Sequence, residues 1–332
     1  MAFSIARQEQ LDANEIIVIS ANYKLPIPFG KVIPAFSDTQ KGWLGKISNL
    51  NVGAAFDTYL EATIGDEDFY AYIDIMHTYQ KLLVTHYRCK GFHFFEEGTD
   101  SYMLPLTLED FTRTAVSDSF RNIKLKDTIK ETVRTLRGYT SALHSLPYHS
   151  QSYQYDRQRK YYCLSKFCYP GVADGQKEIV TLNFLKEELS ILSSDVMLDD
   201  SIILVEETYP DKYNISDKKY KEILQLSLEK LNVDNKLSVY LKLRPGKNIS
   251  GSRLVRLLDE LGIIYEALPY DALAEGVFLN AKKLNVIGFV SSLMFYAQIF
   301  GHEAFSMLNR LESRPTSRFD SIHGFTELVK DI

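Results

Sequence analysis

The sequence predicts an α/β protein of two Rossmann-like domains, and three observations carry that prediction. Apolar runs rich in β-branched and aromatic residues alternate with segments of helical spacing, the pattern of parallel sheets covered on both faces. The alternation comes as two consecutive series. At 332 residues the chain also exceeds what one hydrophobic core usually serves, so two domains, 1–175 and 176–332, with a cleft between them are expected.

The first series opens on "EIIVIS" (15–20), a continuous apolar run of the kind found inside a parallel sheet. "ANYKLPIPFG" follows, and its prolines and glycine forbid a regular helix, so a loop opens at the strand's end. "FYAYIDI" (69–75) reads as a strand, "HTYQKLLVTHYRC" (77–89) as an amphipathic helix and "GFHFF" (91–95) as the next strand. These three make a β-α-β unit. Residues 106–140 are mostly helical by spacing, and "HSLPYHSQSYQYDRQRKYY" reads as a polar, Tyr-rich connection.

The second series starts with "KEIVTLNF" (177–184) and "SIILVEETY" (201–209) as strands. A helix over 217–231, the strand "KLSVYLKL" (236–243) and the turn "RPGKNIS" come next. Helix "GSRLVRLLDELG", strand "IIYEALP", helix "DALAEGVFLNA", strand "NVIGFV" (285–290), helix "SSLMFYAQIFG" and the short strand "EAFSML" complete it.

Composition narrows the function. The formal net charge of −5 argues against a nucleic-acid-binding surface, which favours a small-molecule or glycan partner. Three cysteines, Cys89, Cys163 and Cys168, are an odd number with no CxxC spacing, which indicates neither a disulfide framework nor a zinc site and fits a reducing cytosol; Cys163 and Cys168 read as structural thiols. No basic segment leads into an apolar signal region, and no run of about 18 apolar residues occurs. The seven histidines form no HxxxH pair, so no metal site is expected, and the absence of Walker A, GxGxxG and GxSxG sequences counts against kinase, dehydrogenase and serine-hydrolase readings.

Three short stretches carry candidate chemistry. "FHFFEEGTDSY" (92–102) places Glu96, Glu97 and Gly98 directly behind an aromatic strand, where carboxylates are costly unless something uses them. "LKLRPGKN" (241–248) gathers Lys242, Arg244 and Lys247 beside the Pro245-Gly turn, where cations can neutralise a phosphate or carboxylate or simply face solvent. "VSSLMF" sets Ser291 and Ser292 at a strand-to-helix junction, a place for an anion or for a plain N-cap. Glu275, on the preceding helix, can accept hydrogen bonds from a ribose diol or serve as surface decoration.

Taken in this order, the stretches resemble the motifs of the bacterial GT-B sialyltransferases, including capsule polysialyltransferases and lipooligosaccharide sialyltransferases. That family has an acidic-acidic-Gly motif after an N-domain strand, a His-Pro motif after a C-domain strand and a Ser-Ser motif opening a late C-domain helix. Here these are "EEG" (96–98), "LRPG" with Arg244-Pro245 in the His-Pro place, and "SSL" (291–293). The order spans nearly the whole chain, but the motifs amount to few residues.

The resemblance implies a GT-B fold with an N-terminal acceptor and catalytic-base domain and a C-terminal CMP-sugar-binding domain. It implies an inverting transferase that needs no metal or other cofactor and moves sialic acid from a CMP-sialic acid donor to a capsule or lipooligosaccharide acceptor. Glu96 would be the general base and Glu97 would hold the loop beside Gly98. Ser291 and Ser292 would bind the CMP phosphate with Lys242 and Pro245 nearby, and Glu275 the ribose. Adjacent carboxylates raise each other's affinity for protons, which suits a base. Arginine cannot give up a proton, so Arg244 in the histidine's place implies electrostatic help to the leaving group, a different proton donor, or lost activity.

Other CMP-activated acid sugars (pseudaminic acid, legionaminic acid or Kdo) fit the same motifs, as does a non-catalytic GT-B scaffold in glycan assembly. The expected place of work is the cytoplasm, including peripheral association with the inner membrane face where lipid-linked acceptors lie. Arg113, Arg121, Lys124, Lys126 and Lys130 share one stretch that either follows an anionic acceptor or phospholipid or is a solvated helix face.

Overall fold

The computed structural model describes residues 1–20, 30–36, 52–74, 78–96, 98–102, 159–170, 172–181, 198–231, 237–244, 248–269, 274–311, 322 and 324–332. Glu97, Pro245, Lys247, the helical reading of 106–140 and the basic cluster from Arg113 to Lys130 lie outside them. The chain divides into two compact units, Met1–Thr181 and Leu182–Ile332, both mixed α/β with parallel sheets.

In the first unit, α1 (Ala2–Gln8) leads to β1 (Ile17–Ser20), which pairs in parallel with β2 (Lys31–Pro34). This corrects the reading of "EIIVIS" as a strand buried on both faces: it belongs to a two-stranded sheet, and Ile19 stays 41% exposed. The β2 strand, in the stretch after the expected loop, was not anticipated. After α2 (Val52–Ile64), the β-α-β unit is present as β3 (Phe69–Ile73), α3 (Thr78–Thr85) and β4 (Cys89–Phe95), with β3 and β4 parallel.

Two further strands complete the order β3-β4-β5-β6: β5 (Tyr161–Cys163) and β6 (Lys177–Ile179). The first does not match the sequence reading, and the second is the expected strand in an unexpected sheet. The end of the Tyr-rich connection is a fully buried strand, its Tyr161 ring stacked on Phe94 of β4 at 5.4 Å. The strand assigned to the start of the second series pairs with β5 in this first sheet.

The second unit is a six-stranded sheet in the order β12-β11-β10-β7-β8-β9, every described pairing parallel. Its strands are β7 (Ser201–Val205), β8 (Val239–Lys242), β9 (Glu266–Ala267), β10 (Leu284–Gly288), β11 (Glu303–Ser306) and β12 (Lys330–Asp331). The chain begins at β7, builds outward through β8 to β9, then returns to the other side of β7 with β10. The order therefore reverses between β7 and β10, and ligands of doubly wound sheets bind beyond the strand ends at such a reversal.

The helices are α4 (Tyr209–Lys212), α5 (Asp217–Lys230), α6 (Arg253–Glu260), α7 (Ala274–Asn280), α8 (Ser292–Ile299) and α9 (Phe325–Leu328). Serine side chains cap three of them: Ser216 accepts from Lys219 N, Ser252 from Val255 N and Ser291 from Leu293 N. Leu254, Leu257 and Leu258 of α6, and Tyr220, Ile223, Leu224 and Leu228 of α5, are buried at i, i+3 and i+4 spacing. All residues of β7 and β10 are buried, which is why both read as continuous apolar runs.

Candidate functional site

Glu96 is the first residue beyond β4, and its side chain is only 3% exposed. The Tyr102 hydroxyl donates to Oε1 at 2.8 Å and the Leu164 N–H donates to Oε2 at 2.8 Å. The Glu96 N–H donates to Tyr162 O at 2.9 Å, so backbone and side chain together tie the end of β4 to the end of β5. Tyr102 arrives on the 3₁₀ turn Thr99–Tyr102. That turn begins after Gly98, whose φ of +128° strains any residue with a Cβ. The glycine of the motif therefore has a backbone reason. Cys168, fully buried nearby, has its thiol pushed well above the usual range, first by burial and then by Cys163 and the Glu96 charge, as befits a structural thiol.

In the second unit Lys242 and Arg244 lie at the C-terminal end of β8, and Ser291 and Ser292 just beyond the C-terminal end of β10. Lys242 ends β8, and Arg244 follows two residues later. Among the described residues the Arg244 guanidinium makes no ion pair. Ser291 and Ser292 follow β10, with Ser291 the N-cap of α8, as a plain capping reading expects. Glu275 falls in the first turn of α7. The Lys242–Arg244 pair and the serine pair are far apart in sequence, but both lie at the C-terminal edge of one sheet.

Two carboxylates that the sequence reading passed over connect them. Glu206 and Glu207 directly follow β7, the strand between β8 and β10. The Arg244 N–H donates to Glu206 Oε2 at 3.3 Å, and the Glu206 N–H donates to Lys242 O at 3.0 Å. On the other side, Phe289 N–H donates to Glu207 Oε1 at 2.7 Å, Val290 N–H to Oε2 at 2.9 Å and Ser291 N–H to Oε1 at 3.2 Å. Burial pushes Glu207 up to about 7 despite these amide donors, which pull the other way.

This bears on the expected anion seat. The amides of Phe289, Val290 and Ser291, which a phosphate at the strand-to-helix turn would use, hold a carboxylate of the chain itself. Among the described residues, the Ser292 hydroxyl accepts and donates no hydrogen bond, while the Ser291 hydroxyl accepts from Leu293 N. The signal that could have found Glu206 and Glu207 was in view: "IILVEE" is an acidic pair behind an apolar strand, the same anomaly as "FHFFEE".

Among the described residues, no three of His, Cys, Asp and Glu gather as metal ligands, and no helix is long and apolar enough to cross a membrane. The family model described as alpha-2,8-polysialyltransferase (POLYST) matches residues 55–309, well over half of the chain. No curated protein matches the chain significantly.

Proposed function

The chain belongs to the alpha-2,8-polysialyltransferase family, and is thereby a glycosyltransferase. From that premise we propose that it moves sialic acid from CMP-sialic acid to a hydroxyl of a sialic acid-ended glycan, with inversion and without a metal. A GT-B arrangement belongs to the same proposal, with the first unit supplying the base and the second holding the donor. So do a capsule or lipooligosaccharide acceptor and action in the cytoplasm, including the inner membrane face.

One observation carries the donor assignment. Arg244 and Ser291–Ser292 follow the ends of β8 and β10, the two strands that flank β7 where the strand order reverses. The donor phosphate is then held by the Ser292 hydroxyl and the cations Arg244 and Lys242. In the reaction the acceptor oxygen attacks the anomeric carbon of the sialic acid. The bond from that carbon to the phosphate oxygen breaks, its electron pair leaves with CMP, and the hydroxyl proton passes to a carboxylate. Arg244 stabilises the developing phosphate charge electrostatically, which suits a leaving group that needs little protonation.

The resemblance gives the base to Glu96 and the bracing role to Glu97. The Glu96 hydrogen bonds favour the reverse. A carboxylate 3% exposed, with Tyr102 O–H on one oxygen and Leu164 N–H on the other, is occupied in holding two strand ends. A base must come within hydrogen-bond reach of the acceptor hydroxyl, so Glu97 is the base we propose. A transfer assay on Glu96→Gln and Glu97→Gln tests this: loss of turnover in Glu97→Gln, with Glu96→Gln retaining a measurable share, is the expected result. Full activity of Glu97→Gln with a dead, folded Glu96→Gln returns the base to Glu96, and no transfer from any CMP-sugar by the wild type overturns the function.

A further inference from the structure

The doublet after β7 bonds to the chain on both sides of that strand. Glu206 reaches toward β8 and holds the Arg244 backbone, while Glu207 reaches toward β10 and holds residues 289–291. Arg244 and the serines thus lie on opposite sides of the doublet, each side fastened to it by hydrogen bonds to main-chain N–H groups. The turn at β10 is shaped to admit Glu207: a Cβ on Gly288 would collide with its Oε1. Phe289 is fixed as well, its ring stacked on Tyr209 at 5.2 Å and its carbonyl accepting from Ser306 Oγ at 2.8 Å.

We propose that Glu206 and Glu207 are positioning residues for the donor seat, Glu206 setting Arg244 and Glu207 setting Ser291–Ser292. The inference rests on the donor reading above and extends it to two residues outside the family motifs. Backbone amides, rather than Lys or Arg, satisfy these carboxylates in every bond described here. The Arg244 guanidinium is therefore left to the ligand. Because Glu207 fills the amides of the turn, the phosphate is directed to Ser292 and Arg244 rather than to the main chain.

The test uses the full chain with Glu206→Ala, Glu206→Gln, Glu207→Ala and Glu207→Gln. CMP release from CMP-sialic acid gives the donor KM and kcat, and hydrogen exchange by mass spectrometry follows peptides containing residue 244 or residues 289–291. In Glu207→Ala, exchange at 289–291 accelerates and the donor KM rises about tenfold or more, as loss of hydrogen bonds to a charged group implies. Glu207→Gln, which keeps an acceptor oxygen, restores most of both. Glu206→Ala raises KM while leaving 289–291 protected, and Glu206→Gln recovers it. Accelerated exchange in Glu207→Ala with an unchanged donor KM would overturn the positioning role and leave the donor reading standing. A folded wild type that neither binds nor cleaves CMP-sialic acid would overturn both.

Discussion

The Glu207 carboxylate and the Ser291 N–H lie 3.2 Å apart, joining the end of β7 to the N-cap of α8 across 84 residues of sequence. Two strands that are neighbours only because the sheet order reverses there are thereby locked at their ends. A carboxylate beside a helix N-terminus also opposes the positive end of the helix dipole. The same bond puts an acidic group where burial works against its charge, and the first prediction follows from that conflict.

Burial raises Glu207 from the ordinary 4.5 to about 7. Between those values the folded chain holds more protons at this site than the unfolded chain. This group's contribution therefore makes the protein less stable as pH rises through that window; the penalty is absent below the lower value and complete above the upper one. Glu207→Gln removes the titration while keeping an acceptor oxygen. Denaturant unfolding of both proteins at several pH values should show the variant gaining on the wild type from about pH 4.5 to about 7, then levelling off. A difference that stays flat across the window would contradict the assignment.

Gly288→Ala places a methyl group against Glu207 Oε1 and 3.0 Å from Met294 Sδ. Overpacking of this kind costs about 1–3 kcal/mol, read as a lower urea midpoint. In a Glu207→Ala background the same substitution should cost clearly less, because the atom it strikes is gone. Equal costs in the two backgrounds would show that the glycine is not needed for Glu207.

Tyr102→Phe removes the hydroxyl that donates to Glu96 Oε1 at 2.8 Å inside the first unit. A hydrogen bond to a charged group contributes about 1.5–3 kcal/mol, and a loss of that order is expected in the unfolding free energy. Glu96→Gln should cost less. Its amide oxygen can still accept from Leu164 N–H, and its NH₂ can donate to the Tyr102 oxygen. A larger loss in Glu96→Gln than in Tyr102→Phe would mean that the charge of Glu96 matters beyond this brace.

The parts of the fold with long, consistent patterns were legible in the sequence. The β-α-β unit from Phe69 to Phe95 and the strands at 201–205 and 284–288 appear where apolar runs placed them; in the latter two, burial on both faces leaves a continuous signal. Tyr161–Cys163 was not legible: three buried residues at the end of a polar stretch are shorter than any period can reveal. "EIIVIS" misled for the opposite reason, a strong apolar run that pairs with one short strand and stays partly exposed.

At the site, the Ser291 cap and the glycine at 98 could be read from residue type alone. What could not be read was ownership of the amides at 289–291, because the carboxylate that takes them comes from another strand 82 to 84 residues earlier. Sheet order decides that pairing, and local sequence does not encode it.

Calorimetric titration of the full chain with CMP, with UMP as the control, probes the donor site itself. The expected result is binding of CMP in preference to UMP, unchanged by EDTA and weakened in Arg244→Ala and Ser292→Ala. A folded protein that binds neither nucleotide would contradict the donor site at the ends of β7, β8 and β10.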